Sequence, residues 1–203
     1  MSMAQTATRA PSPRRAEMVA AAARLFSARG YHGTSMKHLG DALGLLKGSL
    51  YAHIGSKEEL LFDVVDEGAA RFLERGREAL ELEGSAAGRL ESFLVGHIET
   101  AIEHLDAATV FLNEWRYLSH DLQELVKAKR DAYEAIAREI VSGGIASGEF
   151  RPDADVDMTA RLVLSAGNWV YAWYRPGGEF APDQIARSYA EILVRGLRQE
   201  GTS

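Results

Sequence analysis

Two short helical patterns joined by a glycine turn occupy residues 34–55, TSMKHLGDALGLLKGSLYAHIG. A threonine or serine can cap a first helix over about 36–43, which Gly44 ends. After a tight turn, a second helix is predicted over about 47–53 and is closed by Gly55. Two short helices joined by a glycine-containing turn are typical of a helix-turn-helix.

Helical spacing continues on both sides of this stretch. Before it, apolar residues recur at every third or fourth position over 14–29, and Gly30 follows as a stop. After it, Ser56 and Glu59 have the spacing of a capping box, which predicts the start of a long helix. Further helices are predicted over about 86–104, 108–117, 120–146, 156–174 and 182–199. About nine helices and no strand pattern predict an all-α protein, with an N-terminal three-helix helix-turn-helix head and a C-terminal helical effector and dimerisation bundle.

The charge of this 203-residue chain is distributed unevenly. The net charge is −6, yet residues 1–57 contain eight Lys and Arg against two Asp and Glu, while residues 58–203 contain 15 against 27. A basic first quarter predicts contact with a polyanion such as DNA. We therefore divide the chain into a flexible basic arm at 1–13, a DNA-binding domain at 14–55 and a ligand-binding and dimerisation domain at 56–203.

Composition and missing motifs exclude several classes of protein. The chain contains no cysteine, so a disulfide framework and a cysteine-rich zinc site are excluded. His97 and His104 share one predicted helix, but two ligands make a weak metal site, and we expect neither a metal nor a cofactor. Nucleophile and phosphate-loop motifs are missing, so we do not expect an enzyme. The longest mostly apolar run, 162–174, is too short for a membrane span, and we expect a soluble, cytoplasmic protein.

The second short helix carries side chains suited to DNA. In a helix-turn-helix this helix enters the major groove, while the first helix lies across the phosphates. Gly48 lets the backbone approach the duplex, Ala52 leaves room for a thymine methyl group, and Leu50 is expected to point into the core. The predicted DNA-binding residues are Ser35, Lys37, Lys47, Gly48, Ser49, Tyr51, Ala52, His53 and Lys57. An all-α adaptor whose basic head binds protein or acidic lipid is the alternative.

Residues 14–65 as a whole resemble the DNA-binding head of the TetR family of bacterial regulators. The matching residues are Ala22-Ala23-x-Leu25-Phe26-x-x-x-Gly30-Tyr31-x-x-Thr34-Ser35, Leu39-Gly40-x-Ala42-Leu43-Gly44, Lys47-Gly48-Ser49-Leu50-Tyr51-x-His53 and Ser56-Lys57-Glu58-Glu59-Leu60-Leu61. Ile54 departs from the family's usual phenylalanine, and Leu45-Leu46 replaces a common Val-Ser turn. The resemblance implies a transcriptional repressor that binds palindromic operator DNA as a homodimer.

The resemblance also implies that the last two helices of each protomer form an intermolecular four-helix bundle. The sequence agrees, because the helix over 156–174 is apolar nearly all round and the helix over 182–199 has one broad apolar face. The predicted dimer interface consists of Leu162, Ile185, Tyr189, Ile192 and Leu193.

Aromatic residues crowd the stretch NWVYAWYRPGG at 168–178. Together with 114–117 and the turn at 148–153, this stretch resembles TetR-family regulators that respond to acyl-CoA thioesters. Such a lipophilic effector needs an apolar channel with cations at its mouth. The predicted ligand-binding residues are Phe93, Phe111, Trp115, Arg116, Asn168, Trp169, Trp173 and Arg175.

Other interpretations of these residues remain open at this point. The aromatic residues can belong to the core or an interface, and the arginines to surface ion pairs. A neutral or carboxylate lipid, or a cationic drug drawn to Glu114, is the alternative effector, and the protein would then regulate an efflux system.

Overall fold

The computed structural model describes residues 13–199, and of Lys47 only the backbone. Ten α-helices and one 3-10 helix lie in this range. The α-helices are α1 (Pro13–Gly33), α2 (Met36–Leu43), α3 (Lys47–Tyr51), α4 (Lys57–Glu81), α5 (Ala86–Glu103), α6 (Leu105–Asn113), α7 (His120–Ala146), α8 (Val156–Asn168), α9 (Val170–Trp173) and α10 (Pro182–Leu197), and the 3-10 helix is Trp115–Tyr117. The predicted all-α fold class is confirmed, whereas the predicted arm at 1–13 lies, apart from Pro13, outside the described residues.

The predicted start and stop signals are found at the helix ends of the head. Ser35 and Ser56 each accept a hydrogen bond from the backbone N–H three residues further on, at 3.2 and 3.0 Å. Gly44 ends α2 in the left-handed conformation, with φ 64°. The first helix continues beyond Gly30, but Gly30 itself leaves helical geometry with φ 72° and ψ 162°.

Two predicted boundaries near short helices are wrong. The helix over 47–53 ends at Tyr51, and the two residues that follow form a turn. The helix predicted to begin at about residue 108 begins at Leu105, directly after the chain leaves helical geometry at His104 (φ −120°, ψ 44°). Asp106 lies in the first turn of α6, where the helix dipole favours a carboxylate.

The predicted helices over 108–117 and 156–174 are each interrupted. The 3-10 helix that follows Glu114 replaces the last turn of the helix predicted over 108–117. The second is divided into α8 and α9 at Trp169, whose carbonyl accepts a hydrogen bond from the Ala172 N–H at 3.1 Å. A bond between residues three apart tightens the backbone locally and ends the regular α-helix.

One hydrophobic core extends from the head to the last helix. The central helix α4 packs against α1, α5, α6 and α7, and α10 packs against α5. Phe26 and Leu50 in the head and Leu61, Phe93 and Ile98 behind it are at most 1% exposed. Burial of each such side chain contributes about 1.5–3 kcal/mol. Because α4 contributes to the core of the head and to the core behind it, a shift of α4 must also displace residues of the head.

Candidate functional site

The second helix of the helix-turn-helix turns its apolar residue inward and its polar residues outward. Leu50 is fully buried, as predicted. The exposed residues in and after α3 are Gly48, Ser49, Tyr51, Ala52 and His53. Lys37 on α2 is exposed as well, whereas the side chain of Lys47 lies outside the described part of the chain. The arrangement leaves a polar surface accessible to a DNA groove, and the individual contacts stay a prediction.

Leu46 is an unexpected member of this surface. Its side chain is 82% exposed, immediately before α3, and it provides no side-chain cap for that helix. The Leu45-Leu46 departure from the usual turn was the available signal, but the sequence alone did not show which of the two leucines faces solvent.

Ser35 and Lys57 have structural partners within the protein. The Ser35 side chain caps α2. The Lys57 Nζ donates to the carbonyl oxygens of Tyr31 and Thr34, each at 2.8 Å, and lies 4.1 Å from the centre of the Tyr31 ring. Burial lowers the pKa of Lys57. Both residues therefore hold the head in shape, and their predicted contact with DNA remains untested.

A cavity of about 300 Å³ lies between α4, α5, α6, α7 and α8. Its apolar lining consists of Ala69, Phe72, Phe111, Leu112 and Leu164. Its polar lining consists of His97, Lys129, Arg130, Tyr133, Glu134, Arg161, Ser165 and Asn168. A cavity of this size, lined by both apolar and polar side chains, falls at the lower end of the range of small-molecule sites. Of the predicted ligand-binding residues, Phe111 and Asn168 line it.

The other predicted ligand-binding residues lie elsewhere. Phe93 is buried behind the cavity wall, where its ring stacks on Tyr133 with centroids 4.8 Å apart. The exposed members are Arg116, Trp169, Trp173 and Arg175. Trp115 is half-buried against a lining residue, Arg130. The predicted aromatic channel at 168–178 is therefore not part of this cavity, because the break at Trp169 leaves that side chain on the surface, 64% exposed.

Arg130 is a half-buried cation in the cavity wall. Its guanidinium carbon lies 5.1 Å from the ring centre of Trp115 and 5.4 Å from that of Phe111. Its Nη1 atom is buried without a hydrogen-bond partner among the described residues. Burial lowers the pKa of this guanidinium. The side chain thus rests on two aromatic faces, with a donor left unpaired.

His97 and Tyr133 form a buried polar pair beside Arg130. The His97 Nδ1 and the Tyr133 hydroxyl are 3.0 Å apart. Burial lowers the pKa of His97 to about 4 and raises that of Tyr133, so both are neutral at physiological pH. Asn168 partly offsets the lowering of the His97 pKa, and the His97 Nε2 is buried without a hydrogen-bond partner among the described residues. This Nε2 is the second unpaired polar atom in the cavity lining.

Glycines allow the close approach of these two side chains. A Cβ at Gly76 on α4 would lie 2.7 Å from a ring carbon of Tyr133, and one at Gly167 on α8 would lie 2.3 Å from a ring carbon of His97. Both distances are shorter than real contacts allow. The glycines therefore set how near α4 and α8 come to the polar pair.

Sequence reasoning missed the cations of the cavity. On α7 the buried positions Val126, Tyr133 and Ala137 define one face, and Arg130 falls on that face at helical spacing. A charged residue on an otherwise apolar face was the signal that would have found it. Lys129, which pairs with Asp66, and Arg161, which lies 3.7 Å from Glu134, had no comparable signal.

A separate apolar surface lies on α8 and α10. Leu162, Trp169 and Ile192 are 57%, 64% and 70% exposed, and the partly buried Tyr189 and Leu193 adjoin Trp169 and Ile192. Ile185, also predicted for the interface, is instead buried within the protein itself. We call Leu162, Ala166, Trp169, Tyr189, Ile192 and Leu193 the α8–α10 surface.

Comparison with known proteins identifies the family. The profile of the bacterial regulatory proteins of the tetR family matches residues 18–64. The profile of the tetracyclin repressor-like C-terminal domain matches residues 83–197, more than half of the chain. The chain belongs to the TetR family. It is a ligand-responsive transcriptional repressor of the TetR type.

Individual relatives agree with this assignment. The transcriptional repressor KstR2 of Mycobacterium tuberculosis is 33% identical over 195 residues, which cover 93% of this chain and 94% of that protein. The solved structure of the TetR regulator PfmR from Thermus thermophilus has a TM-score of 0.83 at 34% identity, over 90% of this chain and 99% of PfmR. AibR, solved in complex with isovaleryl coenzyme A and operator DNA, has a TM-score of 0.82 at 28% identity, over 89% and 98%.

Membrane spans and metal clusters are both absent from the residues that the structure describes. No helix there is long and apolar enough to cross a membrane. No group of three or more metal-ligating side chains lies together there. His97 is paired with Tyr133 inside the protein, whereas His104 ends α5 at the surface.

Polar contacts join the TetR head and the first turn of α4 to the segment around the 3-10 helix. The Tyr31 N–H donates to the Glu114 carboxylate at 2.6 Å, and the Ser119 N–H donates to the Glu58 carboxylate at 2.6 Å. The Tyr117 ring also stacks on that of Tyr31, with centroids 6.0 Å apart. Because Trp115 in the same segment contacts Arg130, the 3-10 helix touches both the head and the cavity.

The buried His97 makes stability depend on pH. The folded protein keeps His97 neutral down to about pH 4, whereas in the unfolded chain it takes up a proton near its ordinary pKa of 6.5. The unfolded chain therefore binds more protons between these pH values, and stability falls as pH decreases through this window. The loss is about 3 kcal/mol at most. The difference in the free energy of unfolding between the wild type and His97→Gln, measured with denaturant, should become smaller as pH falls from 7.5 to 4.

The control for the pH experiment is His120→Gln, at an exposed helix end. It should follow the wild type throughout. A wild-type and His97→Gln difference that is constant with pH would contradict a neutral, buried His97.

Proposed function

We propose that this TetR-type repressor is a cytoplasmic homodimer that binds palindromic operator DNA and is released by an acyl-CoA thioester. The observation that carries the effector class is the cavity, which combines an apolar lining with the partly exposed cations Lys129 and Arg161. An acyl-CoA has the same division, because an apolar acyl group is joined to an anionic nucleotide. The complex of AibR with isovaleryl coenzyme A supports the proposal.

The size of the cavity supports a separate position for each of the two parts of the proposed ligand. About 300 Å³ is at the lower end for small-molecule sites and holds an acyl group, not a whole coenzyme A thioester. The acyl group would lie against Phe72, Phe111 and Leu164, and the phosphates would remain outside near Arg161. These cations also disfavour a cationic drug. The Glu114 carboxylate, the alternative attractor for a drug, already accepts the Tyr31 N–H.

The proposed dimer places one head on each half-site of a palindrome. The α8–α10 surface is the interface in this proposal, because large apolar side chains exposed together need a partner. The heads, residues 14–55, would then enter successive major grooves with the polar surface of α3.

The coupling between effector and DNA follows from the position of the cavity. An acyl group would press on α4 through Ala69 and Phe72 and on α6 through Phe111. Both helices pack against α1 of the head, so their displacement would change the spacing of the two heads. The effector acts only through its higher affinity for the state that binds DNA poorly. A coupling of about 1–3 kcal/mol would lower DNA affinity about 5–150-fold.

Titration of a preformed complex tests the proposal. Operator DNA would be selected from random or genomic fragments, labelled, and followed by fluorescence anisotropy. We expect long-chain or aromatic acyl-CoA thioesters to release the DNA and free coenzyme A to leave it bound, because only the acyl group fills the cavity. Release by cationic drugs alone would contradict the acyl-CoA proposal and favour an efflux regulator.

A further inference from the structure

Arg130 places a charge without an ion-pair partner among the described residues in the wall of the cavity. Among the described residues, no hydrogen bond and no ion pair satisfies its guanidinium, whose contacts are the rings of Phe111 and Trp115. The acidic groups that act on it are Asp131 and Glu134, and Glu134 already pairs with Arg138 at 2.5 Å. A half-buried cation without a partner is costly to a fold, and the cost is recovered when an anion binds beside it.

The position of Arg130 differs from that of the other cations of the cavity. Lys129 has its own carboxylate, Asp66, and the Arg161 side chain is 62% exposed. Arg130 and His97 both line the cavity, and each has a buried nitrogen, Nη1 and Nε2, without a hydrogen-bond partner among the described residues. Unpaired buried polar atoms are rare in native proteins, and two of them lining one cavity indicate that its ligand is polar there too.

We propose that the effector carries a carboxylate on its apolar part, which pairs with the Arg130 guanidinium inside the cavity. The inference rests on the proposed function, and it narrows the ligand from any acyl-CoA to an acyl thioester with a second, free carboxyl group. A second oxygen of the same carboxylate, or a nearby keto or hydroxyl oxygen, would meet His97 Nε2. A free dicarboxylic acid presents the same chemistry without the coenzyme, so the test includes it separately.

The experiment compares ligands that differ only in the second carboxylate. Octanoyl-CoA and suberyl-CoA, their free acids, and the same pairs at longer and shorter chain lengths would be titrated into the repressor–operator complex. A hydrogen bond to a charged group favours the carboxylated ligand by roughly tenfold or more in the concentration that releases half of the DNA. We expect Arg130→Met to abolish this preference and Arg130→Lys to keep part of it. Arg161→Met is the matched control, and it should weaken both thioesters alike.

Protein stability provides a second measurement. Arg130→Met removes an unpaired charge and should have a melting temperature no lower than that of the wild type. Carboxylated ligands should raise the melting temperature of the wild type more than plain ones, and this difference should vanish in Arg130→Met.

The outcomes separate this inference from the proposed function. If octanoyl-CoA and suberyl-CoA release the DNA equally well, the proposal that the effector carries a carboxylate is wrong, and the acyl-CoA proposal is unaffected. If free suberic acid alone releases the DNA, the result supports the pairing of a carboxylate with Arg130 and overturns the proposal that the effector is a thioester. A preference for suberyl-CoA that persists in Arg130→Met overturns the role of Arg130. If none of these ligands releases the DNA, both the carboxylate and release by straight-chain acyl-CoA thioesters are overturned.

Discussion

Replacing Ile192 with glutamate is expected to convert the proposed dimer into a monomer that no longer binds operator DNA. Ile192 is the most exposed large apolar side chain of the α8–α10 surface. In a symmetric dimer the change introduces two carboxylates into one apolar interface, where burial disfavours their charge. Binding two half-sites together strengthens binding by about 10²–10⁴. Operator affinity should therefore fall by at least about 100-fold, although the head is unchanged.

Light scattering and anisotropy together check this prediction. Leu125→Glu is the matched control, because Leu125 is 54% exposed on α7, outside the α8–α10 surface. That variant should remain dimeric and bind operator as the wild type does. Circular dichroism should show the same helix content in both variants. If Ile192→Glu stays dimeric, the interface lies elsewhere and the α8–α10 surface needs another partner.

Local signals in the sequence predicted the helices well. Serine caps and glycine stops act within a few residues, so the ends of α2 and the start of α4 could be inferred from Ser35, Gly44 and Ser56. The break at Trp169 could not, because the residues around it have ordinary helical spacing and nothing local stops the helix. At and beyond that break, Trp169 and Trp173 lie at the surface and not in the predicted channel.

The cavity was harder to predict, because five helices contribute to it. Periodicity shows which face of a helix is buried and not which neighbour it meets. Phe111 and Asn168 line the cavity, although their contact with a ligand stays a prediction, whereas Arg116 and Arg175 were chosen as cations for their position near aromatic residues. The cations that do line the cavity lie on α7 and α8. Arg130 alone could have been recognised, from its place on a buried face.

Filling the cavity should separate effector binding from DNA binding. Ala69 is a buried residue of α4 that lines the cavity, so Ala69→Phe places a ring where the acyl group is proposed to bind. Effector affinity should fall by at least about 100-fold, since the ligand then has to displace a packed side chain. Operator affinity should stay within about threefold of the wild type, because the head and the α8–α10 surface are untouched and a ring attached to α4 moves with that helix, whereas a free acyl group would push α4 away from α6. The variant would then be a repressor that still binds operator DNA but no longer responds to the effector.

Ala70→Phe is the matched control, since Ala70 follows on the same helix but is exposed. It should bind operator and respond to the acyl-CoA that releases the wild type. Overpacking costs about 1–3 kcal/mol, so Ala69→Leu, which adds less volume, serves if Ala69→Phe fails to fold. Calorimetric titration of the thioester and anisotropy of the operator complex measure the two affinities separately. If Ala69→Phe and Ala69→Leu both release DNA at the same thioester concentration as the wild type, the effector binds outside the cavity, and the coupling must then run through another face of α4.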